Sequence, residues 1–376
     1  MSKLQGFPDP FLLTQPLLPD LKETYKMIEA IWQSHQLSNN GPMLKQLEQE
    51  LAAFLGVDYL SVFCNGTAAL QIACKVLKLK GEVITTPFTF AATTHALAWN
   101  NLKPVFCDIE DDTFNLDPDL IESLITKDTS AILAVHVFGK PCNVEKIERI
   151  ANRYGLKIIY DAAHAFGVRI NGKPIASWGD ISMFSFHATK VYHTIEGGAL
   201  TFNTPSLKEK ADAMRNFGLR DENVEEPGTN AKLNEIQAAV GILLLRKLEE
   251  ETAKRRSLTN LYRKLLVNIP GVSCSRDLEG VTPNYPYFAV RIETQNYGLS
   301  RDELYLKLQE YNIFARKYFY PLCSNFECYK GLESAAALKL PVANQVAKNI
   351  LALPLHGRME NQDVEKVCAI IEEIRR

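Results

Sequence analysis

The chain has 376 residues and a net charge of −2, from 42 Lys and Arg against 44 Asp and Glu. At roughly 150 residues per domain this length favours about two domains, and the near-neutral balance gives no overall field that recruits nucleic acid or an anionic membrane. No apolar stretch approaches the roughly 20 residues that span a bilayer, and residues 1–9 lack the pattern of a secretion signal. We therefore expect a cytoplasmic protein with neither nucleic acid nor membrane as a partner.

The cysteines are scattered along the chain, and only Cys323 and Cys328 lie close together. No second pair or nearby histidine has the spacing of a zinc site, and Asp161 with His164 lacks an evident third ligand. We expect no metal, and we expect reduced thiols of the kind found in a reducing compartment.

Between about residues 60 and 200, short β-branched runs alternate with helical patterns, which is typical of βαβ units and a mainly parallel sheet. Residues 67–80 and 144–154 predict helices that end at glycines able to adopt the left-handed cap, Gly81 and Gly155. The pattern predicts an α/β fold with a large domain over residues 1–250. The strand-like runs are residues 82–86, 104–107, 131–137, 157–160, 181–186 and 199–202.

The C-terminal third has a different pattern. From residue 233 to about 266, apolar residues recur at helical spacing with charges on the opposite face, which predicts a long helix linking two domains. Strand-like residues 287–292 and helical residues 301–311 and 361–376 then predict a smaller α+β domain over residues 251–376.

The sequence does not support either of two common nucleotide-binding motifs, the phosphate loop and the GxGxxG loop. Residues 167–173 fit the beginning of a phosphate-loop motif, but Pro174 replaces the Ser or Thr that binds magnesium and has no backbone donor. Asn171-Gly172 instead predicts a hairpin turn. No GxGxxG sequence occurs, which removes the main support for a dinucleotide-binding oxidoreductase.

A phosphate site is predicted where a strand-like run, residues 59–63, leads through Asn65-Gly66-Thr67 into a helix. The free N–H groups and the positive end of that helix would hold a phosphate. Ser185, further along the chain, also offers a hydroxyl to a phosphate. The alternative is an ordinary turn with Thr67 near the helix cap.

Two charged residues follow predicted strands. Asp161 comes at the edge where open α/β sheets place ligands, and a protonated pyridine nitrogen would suit it, because the charge pair keeps the ring an electron sink. The alternative for Asp161 is a helix cap. Lys190 comes four residues after Phe186, and its apolar neighbours would lower its pKa toward that of a nucleophile. The alternative for Lys190 is a solvated surface charge.

These segments, in the order NGTAAL, PFTFAAT, YDAAHAFG, FSFHATK, EGGA and GTNAKLNEIQAA, resemble those of the DegT/DnrJ/StrS family of sugar aminotransferases. The resemblance covers nearly the whole chain, and six motifs in the family's order are hard to match by chance. It implies the fold-type I architecture of pyridoxal 5′-phosphate (PLP) dependent transferases, an α/β fold with a large mainly parallel-sheet domain and a smaller α+β C-terminal domain.

The resemblance also implies roles for individual residues. Lys190 corresponds to the catalytic Schiff-base lysine, and Asp161 to the partner of the pyridine nitrogen. Phe90 matches the ring-stacking aromatic residue, and His164 matches a residue beside the ring face or its 3′-oxygen. The phosphate is assigned to Gly66, Thr67, Ser185 and, from the neighbouring subunit, Asn230.

The implied reaction moves an amino group from glutamate to a nucleotide-linked 4-keto-6-deoxyhexose, with a dTDP sugar as the leading expectation, in a homodimer with shared active sites. Alternatives are a 3-keto, UDP- or GDP-sugar, an aminocyclitol, or a regulator with the PLP-enzyme fold. Local positive charge would meet the diphosphate of the sugar. Substrate contacts are assigned to Lys232, Arg220, Arg316, Tyr320 and His356.

Overall fold

The computed structural model describes residues 4–375 and centres on a seven-stranded sheet. In chain order the strands are β1 (Tyr59–Phe63), β2 (Glu82–Thr85), β3 (Lys103–Phe106), β4 (Thr129–Val135), β5 (Lys157–Asp161), β6 (Ile181–Ser185) and β7 (Gly198–Phe202). Their spatial order is β1-β7-β6-β5-β4-β2-β3. Strand β7 is antiparallel to both of its neighbours, and the other pairs are parallel. The prediction of a mainly parallel α/β sheet is confirmed.

Helices cover both faces of this sheet. They are α1 (Leu21–Ser34), α2 (Pro42–Leu55), α3 (Gly66–Val76), α4 (Ala91–Ala98), α5 (Pro118–Leu124), α6 (Val144–Tyr154), α7 (Pro205–Met214) and α8 (Glu235–Leu245). Helices α3, α4 and α7 pack in one apolar core, and α2, α5, α6 and α8 in another. Within β4, Leu133 belongs to the first core and Ile132 to the second. Burial on both faces explains why the strands read as continuous apolar runs.

The C-terminal part forms a second unit around its own apolar core. Its elements are α9 (Leu248–Leu266), β8 (Val272–Cys274), β9 (Phe288–Ile292), α10 (Thr294–Tyr297), α11 (Arg301–Glu310), α12 (Pro341–Asn349), β10 (Ile350–Leu353) and α13 (Asn361–Arg375). The three strands form an antiparallel sheet in the order β8-β9-β10. The N-terminal segment joins this unit, because Phe7 lies in its core and Phe11–Leu12 pairs with Ile313–Phe314. The domain boundary at residue 250 stays a prediction.

Two predicted helices differ from the structure. The single helix expected over residues 233–266 is interrupted between α8 and α9, at Arg246 and Lys247. Helix α8 is apolar and almost entirely buried, whereas α9 has charged residues on a solvent-exposed face. The helix is therefore interrupted where the chain passes from the protein interior to the surface. Helix α3 ends at Val76 and does not continue to Gly81, because Lys78 adopts a left-handed conformation with φ 54°.

The predicted hairpin is present where a phosphate loop was excluded. Asn171 and Gly172 have φ values of 48° and 79°, and the flanking Arg169–Ile170 and Lys173–Pro174 pair antiparallel. Within residues 4–375, no helix is long and apolar enough to cross a membrane. Over the same residues, no group of three or more His, Cys, Asp or Glu is placed to hold a metal ion.

Candidate active site

A cavity of about 370 Å³ lies at the carboxyl-terminal edge of the central sheet. Its walls come from the segments that follow β1, β5 and β6, from the segment before α4, and from the C-terminal unit. Open α/β sheets place their ligands at such an edge. The predicted site residues that line the cavity are Gly66, Thr67, Phe90, Asp161, His164, Ser185, Lys190 and Arg316.

The first turn of α3 forms a cradle for an anion. Asn65 caps this helix, because its side-chain oxygen accepts a 2.8 Å hydrogen bond from Ala68 N. The N–H groups of Gly66 and Thr67 precede the first intrahelical bonds, so they and the positive helix end are available to a ligand. A Cβ on Gly66 would lie 3.3 Å from Ser185 Cβ, so glycine lets the turn pack close to that hydroxyl-bearing residue. Gly66, Thr67 and Ser185 together suit a phosphate.

Asp161 is the last residue of β5 and is only 5% exposed. Its Oδ2 accepts a 2.8 Å hydrogen bond from Thr93 Oγ1, and its Oδ1 accepts one of 3.1 Å from Ala163 N. Burial raises the pKa of the carboxyl, while these two bonds and the charge of Lys190 act in the opposite direction. Both donors are neutral, so a cationic group on a ligand would supply the charge partner that a buried carboxylate requires.

Lys190 lies in the turn after β6, partly buried in the cavity wall. Its Nζ is 3.5 Å from Tyr287 Oη and 5.8 Å from the centroid of that ring. Desolvation lowers the pKa of the amine and outweighs the opposing effects of Tyr318 and Asp161. A lower pKa increases the fraction of neutral amine, which is the form that attacks a carbonyl carbon.

His164 is packed among aromatic rings beside the lysine. Its ring is nearly parallel to those of Phe138 and Phe319, with centroids 6.2 and 6.0 Å away, and Tyr287 packs against it at 4.8 Å. Nδ1 accepts a 3.3 Å hydrogen bond from Phe138 N, which places the proton of the neutral ring on Nε2. Burial, with a further contribution from the charge of Lys190, holds the pKa of His164 well below its ordinary value. His164 therefore lines the cavity as a neutral residue.

Two further side chains of the cavity wall, Phe90 and Arg316, are exposed and available to contact a ligand. Phe90 is the N-cap residue of α4 and is 56% exposed, an unusual environment for phenylalanine. Arg316 is exposed, and its Cζ lies 4.7 Å from the centroid of the Tyr318 ring. Its backbone pairs with Ala352 of β10, which anchors it to the C-terminal unit. A flat aromatic ligand would cover Phe90, and an anionic group would suit Arg316.

The structure also adds residues that the sequence reasoning missed. Thr89 and Thr93 flank Phe90 in the PFTFAAT segment, where hydroxyl side chains produce no periodic signal. The segment around Tyr320, which was predicted as a substrate contact, contributes Tyr318 and Phe319 to the cavity wall. Tyr320 is 50% exposed and does not line the cavity. Tyr318 and Phe319 are consecutive residues in a turn, so no periodic signal in the sequence separates them from Tyr320.

Four other predicted residues lie outside the lining of the cavity in their own chain. His356 is 2% exposed, and neither ring nitrogen has a hydrogen-bond partner among the described residues. Arg220 pairs with two nearby carboxylates, and Lys232 Nζ lies 4.5 Å from the ring centroid of Phe217. Asn230 is exposed. The binding roles of these residues and of Tyr320 stay predictions.

Comparison with known proteins decides the family. Residues 20–372 match the DegT/DnrJ/EryC1/StrS aminotransferase family. The chain belongs to this family. Among its DegT/DnrJ/EryC1/StrS relatives, a Shigella dysenteriae protein named dTDP-4-amino-4,6-dideoxy-D-glucose transaminase is 44% identical, over 97% of this chain and 99% of the relative. An Escherichia coli protein of the same name is also 44% identical, over 96% of this chain and 97% of the relative.

Solved structures of aminotransferases share this architecture. DesI, determined in the presence of its TDP-sugar product, superimposes with a TM-score of 0.95 at 35% identity, covering 100% of this chain and 95% of DesI. Helicobacter pylori PseC, an aminotransferase involved in the biosynthesis of pseudoaminic acid, has a TM-score of 0.90 at 27% identity, with coverages of 97% and 99%. The predicted family, fold class and enzyme class are thereby confirmed.

Proposed function

We propose that this family member is a PLP-dependent aminotransferase that converts dTDP-4-keto-6-deoxy-D-glucose to the 4-amino sugar, with glutamate as amino donor. The observation that carries the proposal is that Lys190, Asp161 and the phosphate cradle meet in one cavity. The names of the two 44% identical relatives support the sugar, and the TDP-sugar product of DesI supports the nucleotide.

The residues of the cavity fit PLP. Gly66 and Thr67 offer backbone N–H groups, and Ser185 a hydroxyl, to a phosphate. Asp161 accepts bonds only from neutral donors, so it suits a protonated ring nitrogen. The exposed ring of Phe90 offers an apolar surface on which a pyridine ring can stack.

When bound, PLP supplies an electron-withdrawing ring that stabilises negative charge on the substrate carbon beside the nitrogen. Asp161 keeps the ring nitrogen protonated through its own negative charge. The Lys190 amine removes the proton from the α-carbon of glutamate, and in the second half of the reaction it delivers a proton to C4 of the sugar. Tyr287 Oη accepts a hydrogen bond from Nζ and helps to hold the amine in position.

The predicted homodimer is part of the proposal. Asn230 lies outside the cavity of its own chain, and the family resemblance assigns it to the phosphate of the partner's PLP. The segment that leads to it exposes the apolar side chains of Phe217, Leu219 and Val224, which a second subunit would cover. We assign the diphosphate of the sugar to Arg316 inside the cavity and to Lys232 and Arg220 outside it.

Borohydride reduction of the PLP-loaded protein tests the assignment of the site. We expect the visible absorption band to bleach, and peptide mass spectrometry to find the reduced cofactor on the segment that contains Lys190. In a parallel incubation, glutamate and dTDP-4-keto-6-deoxy-D-glucose should yield equal amounts of 2-oxoglutarate and amino sugar. Attachment to another lysine, or no attachment, would contradict the proposed site.

A further inference from the structure

A series of hydroxyl groups ends on Asp161. Thr93 Oγ1 lies 2.8 Å from Asp161 Oδ2 and 2.8 Å from Thr89 Oγ1, and both threonines are buried. An ionised carboxylate only accepts hydrogen bonds, so the single Thr93 hydroxyl proton is donated to Asp161. Thr93 Oγ1 must then accept the proton of Thr89. Each hydroxyl therefore donates in the direction of the carboxylate, an arrangement that favours its ionised form.

We propose that Thr93 is a positioning residue that keeps Asp161 ionised and directed at the ring nitrogen of PLP, with Thr89 orienting the Thr93 hydroxyl. This inference rests on the proposed function, because it requires PLP in the cavity. No role in the chemistry falls to Thr93 itself, since it acts only through Asp161.

The position of Thr93 in the first turn of α4 also links the hydroxyl group that contacts Asp161 to the aromatic ring of Phe90. Phe90 is the N-cap residue of α4, and Thr93 N donates a 3.2 Å hydrogen bond to Phe90 O in the first turn. One helical turn therefore fixes both the aromatic ring that would stack on the cofactor and the hydroxyl that orients its acid partner. A shift of this turn would disturb both contacts together.

Asp161 depends on Thr93 because the carboxylate is buried. Ala163 N serves Oδ1, and Thr93 is the side-chain donor to Oδ2. Removing a donor from a buried carboxylate destabilises the anion more than the neutral acid. The titratable and charged groups that surround the cavity are common to all variants compared below, so a difference between variants reports on Asp161. Those that line the cavity are Lys190, His164, His187, Glu196, Tyr318 and Arg316. Behind them, Tyr287 contacts Lys190, and the backbone N–H of His136 donates to Asp161 O.

The test is the dissociation constant of PLP for the full-length protein, measured by fluorescence titration from acidic to neutral pH. Thr93→Val keeps the shape of the side chain but removes the hydroxyl. At neutral pH we expect binding to weaken about tenfold, or about 1.4 kcal/mol. The pH below which binding weakens should also rise, because loss of the donor raises the pKa of Asp161. Thr93→Ser should restore both quantities.

Thr94→Val is the matched control, because Thr94 is the next residue, is buried, and donates its hydroxyl to Ala91 O within the same helix. It should bind PLP as the wild type does. A PLP analogue with carbon in place of the ring nitrogen has no proton for Asp161 to hold, so Thr93→Val and wild type should bind it equally. If Thr93→Val does not fold, Thr93→Ala is measured in its place.

Three results would overturn the inference. One is wild-type affinity and pH dependence in Thr93→Val. Another is equal weakening for PLP and for the analogue, which would give Thr93 a purely structural role. The third is failure of Thr93→Ser to recover the pH dependence. Failure of the wild type to bind PLP at all is distinguishable from these, since it would reject the proposed function and this inference with it.

Discussion

Among single side chains, Lys190 is the one whose removal should abolish activity completely. Lys190→Ala removes the amine that moves the proton, so turnover of glutamate and the sugar should be abolished, while the fold persists because only a desolvated amine is lost. Steady-state assays and thermal melting measure the two effects. Lys264→Ala, on the exposed end of α9, serves as control and should remain active. Near-normal turnover in Lys190→Ala would remove that residue from its assigned role.

Asp161→Asn separates binding from chemistry. The amide retains the size of the side chain but carries no negative charge, so it cannot keep the ring nitrogen protonated. We expect PLP to bind more weakly, so excess PLP is supplied to keep the site occupied, and at saturating PLP the single-turnover rate with glutamate should fall at least about a hundredfold, or about 2.7 kcal/mol in activation free energy. Absorbance of the bound cofactor and stopped-flow kinetics report the two quantities. An unchanged rate would indicate a capping role for Asp161.

Between secondary-structure elements, Glu235 joins the start of α8 to the start of α2. Its side chain is 1% exposed, and its carboxylate accepts hydrogen bonds of 2.8 Å from Met43 N and 3.2 Å from Leu44 N. Glu235→Ala leaves both N–H donors without partners, the one on Leu44 fully buried and the one on Met43 partly buried, so we expect a loss of about 2–4 kcal/mol in the free energy of unfolding. The exposed Glu249→Ala should cost no more than about 0.5 kcal/mol. Equal urea midpoints for the two variants would exclude the capping role.

Some secondary-structure elements and site residues could be predicted from the sequence, and others could not. The strands and α6 were predictable, because burial on both faces and a glycine at the helix end leave local signals. The interruption at Arg246 was not, because helical periodicity continues through it while the surroundings change. Asp161 and Lys190 follow strands, which made them visible. Thr93 is 68 residues away from Asp161 along the chain, and its contact depends on packing that no local pattern reports.

For the assembled protein, the shared active site can be tested by mixing two inactive variants. Lys190→Ala damages the site of its own chain, whereas Asn230→Ala should damage the site of its partner. Heterodimers would then contain one site with both lesions and one with neither. Random exchange in an equal mixture makes half of the dimers heterodimers, so activity should return to about a quarter of the wild-type sites. Exchange of subunits is verified by mixing differently tagged chains. No recovery despite demonstrated exchange would contradict a site completed by Asn230.

The identity of the amino acceptor is tested most directly by the second half of the reaction. The PLP-loaded protein takes its amino group from glutamate, is freed of 2-oxoglutarate, and then meets one acceptor at a time while the recovery of the original absorption band is followed. The acceptors are dTDP-4-keto-6-deoxyglucose, its 3-keto isomer, the UDP and GDP counterparts, and simple 2-oxo acids. We predict that the dTDP 4-keto sugar reacts fastest by at least about tenfold, or about 1.4 kcal/mol, which a few pocket contacts can supply. Rapid recovery with 2-oxo acids and none with any nucleotide sugar would contradict the sugar assignment.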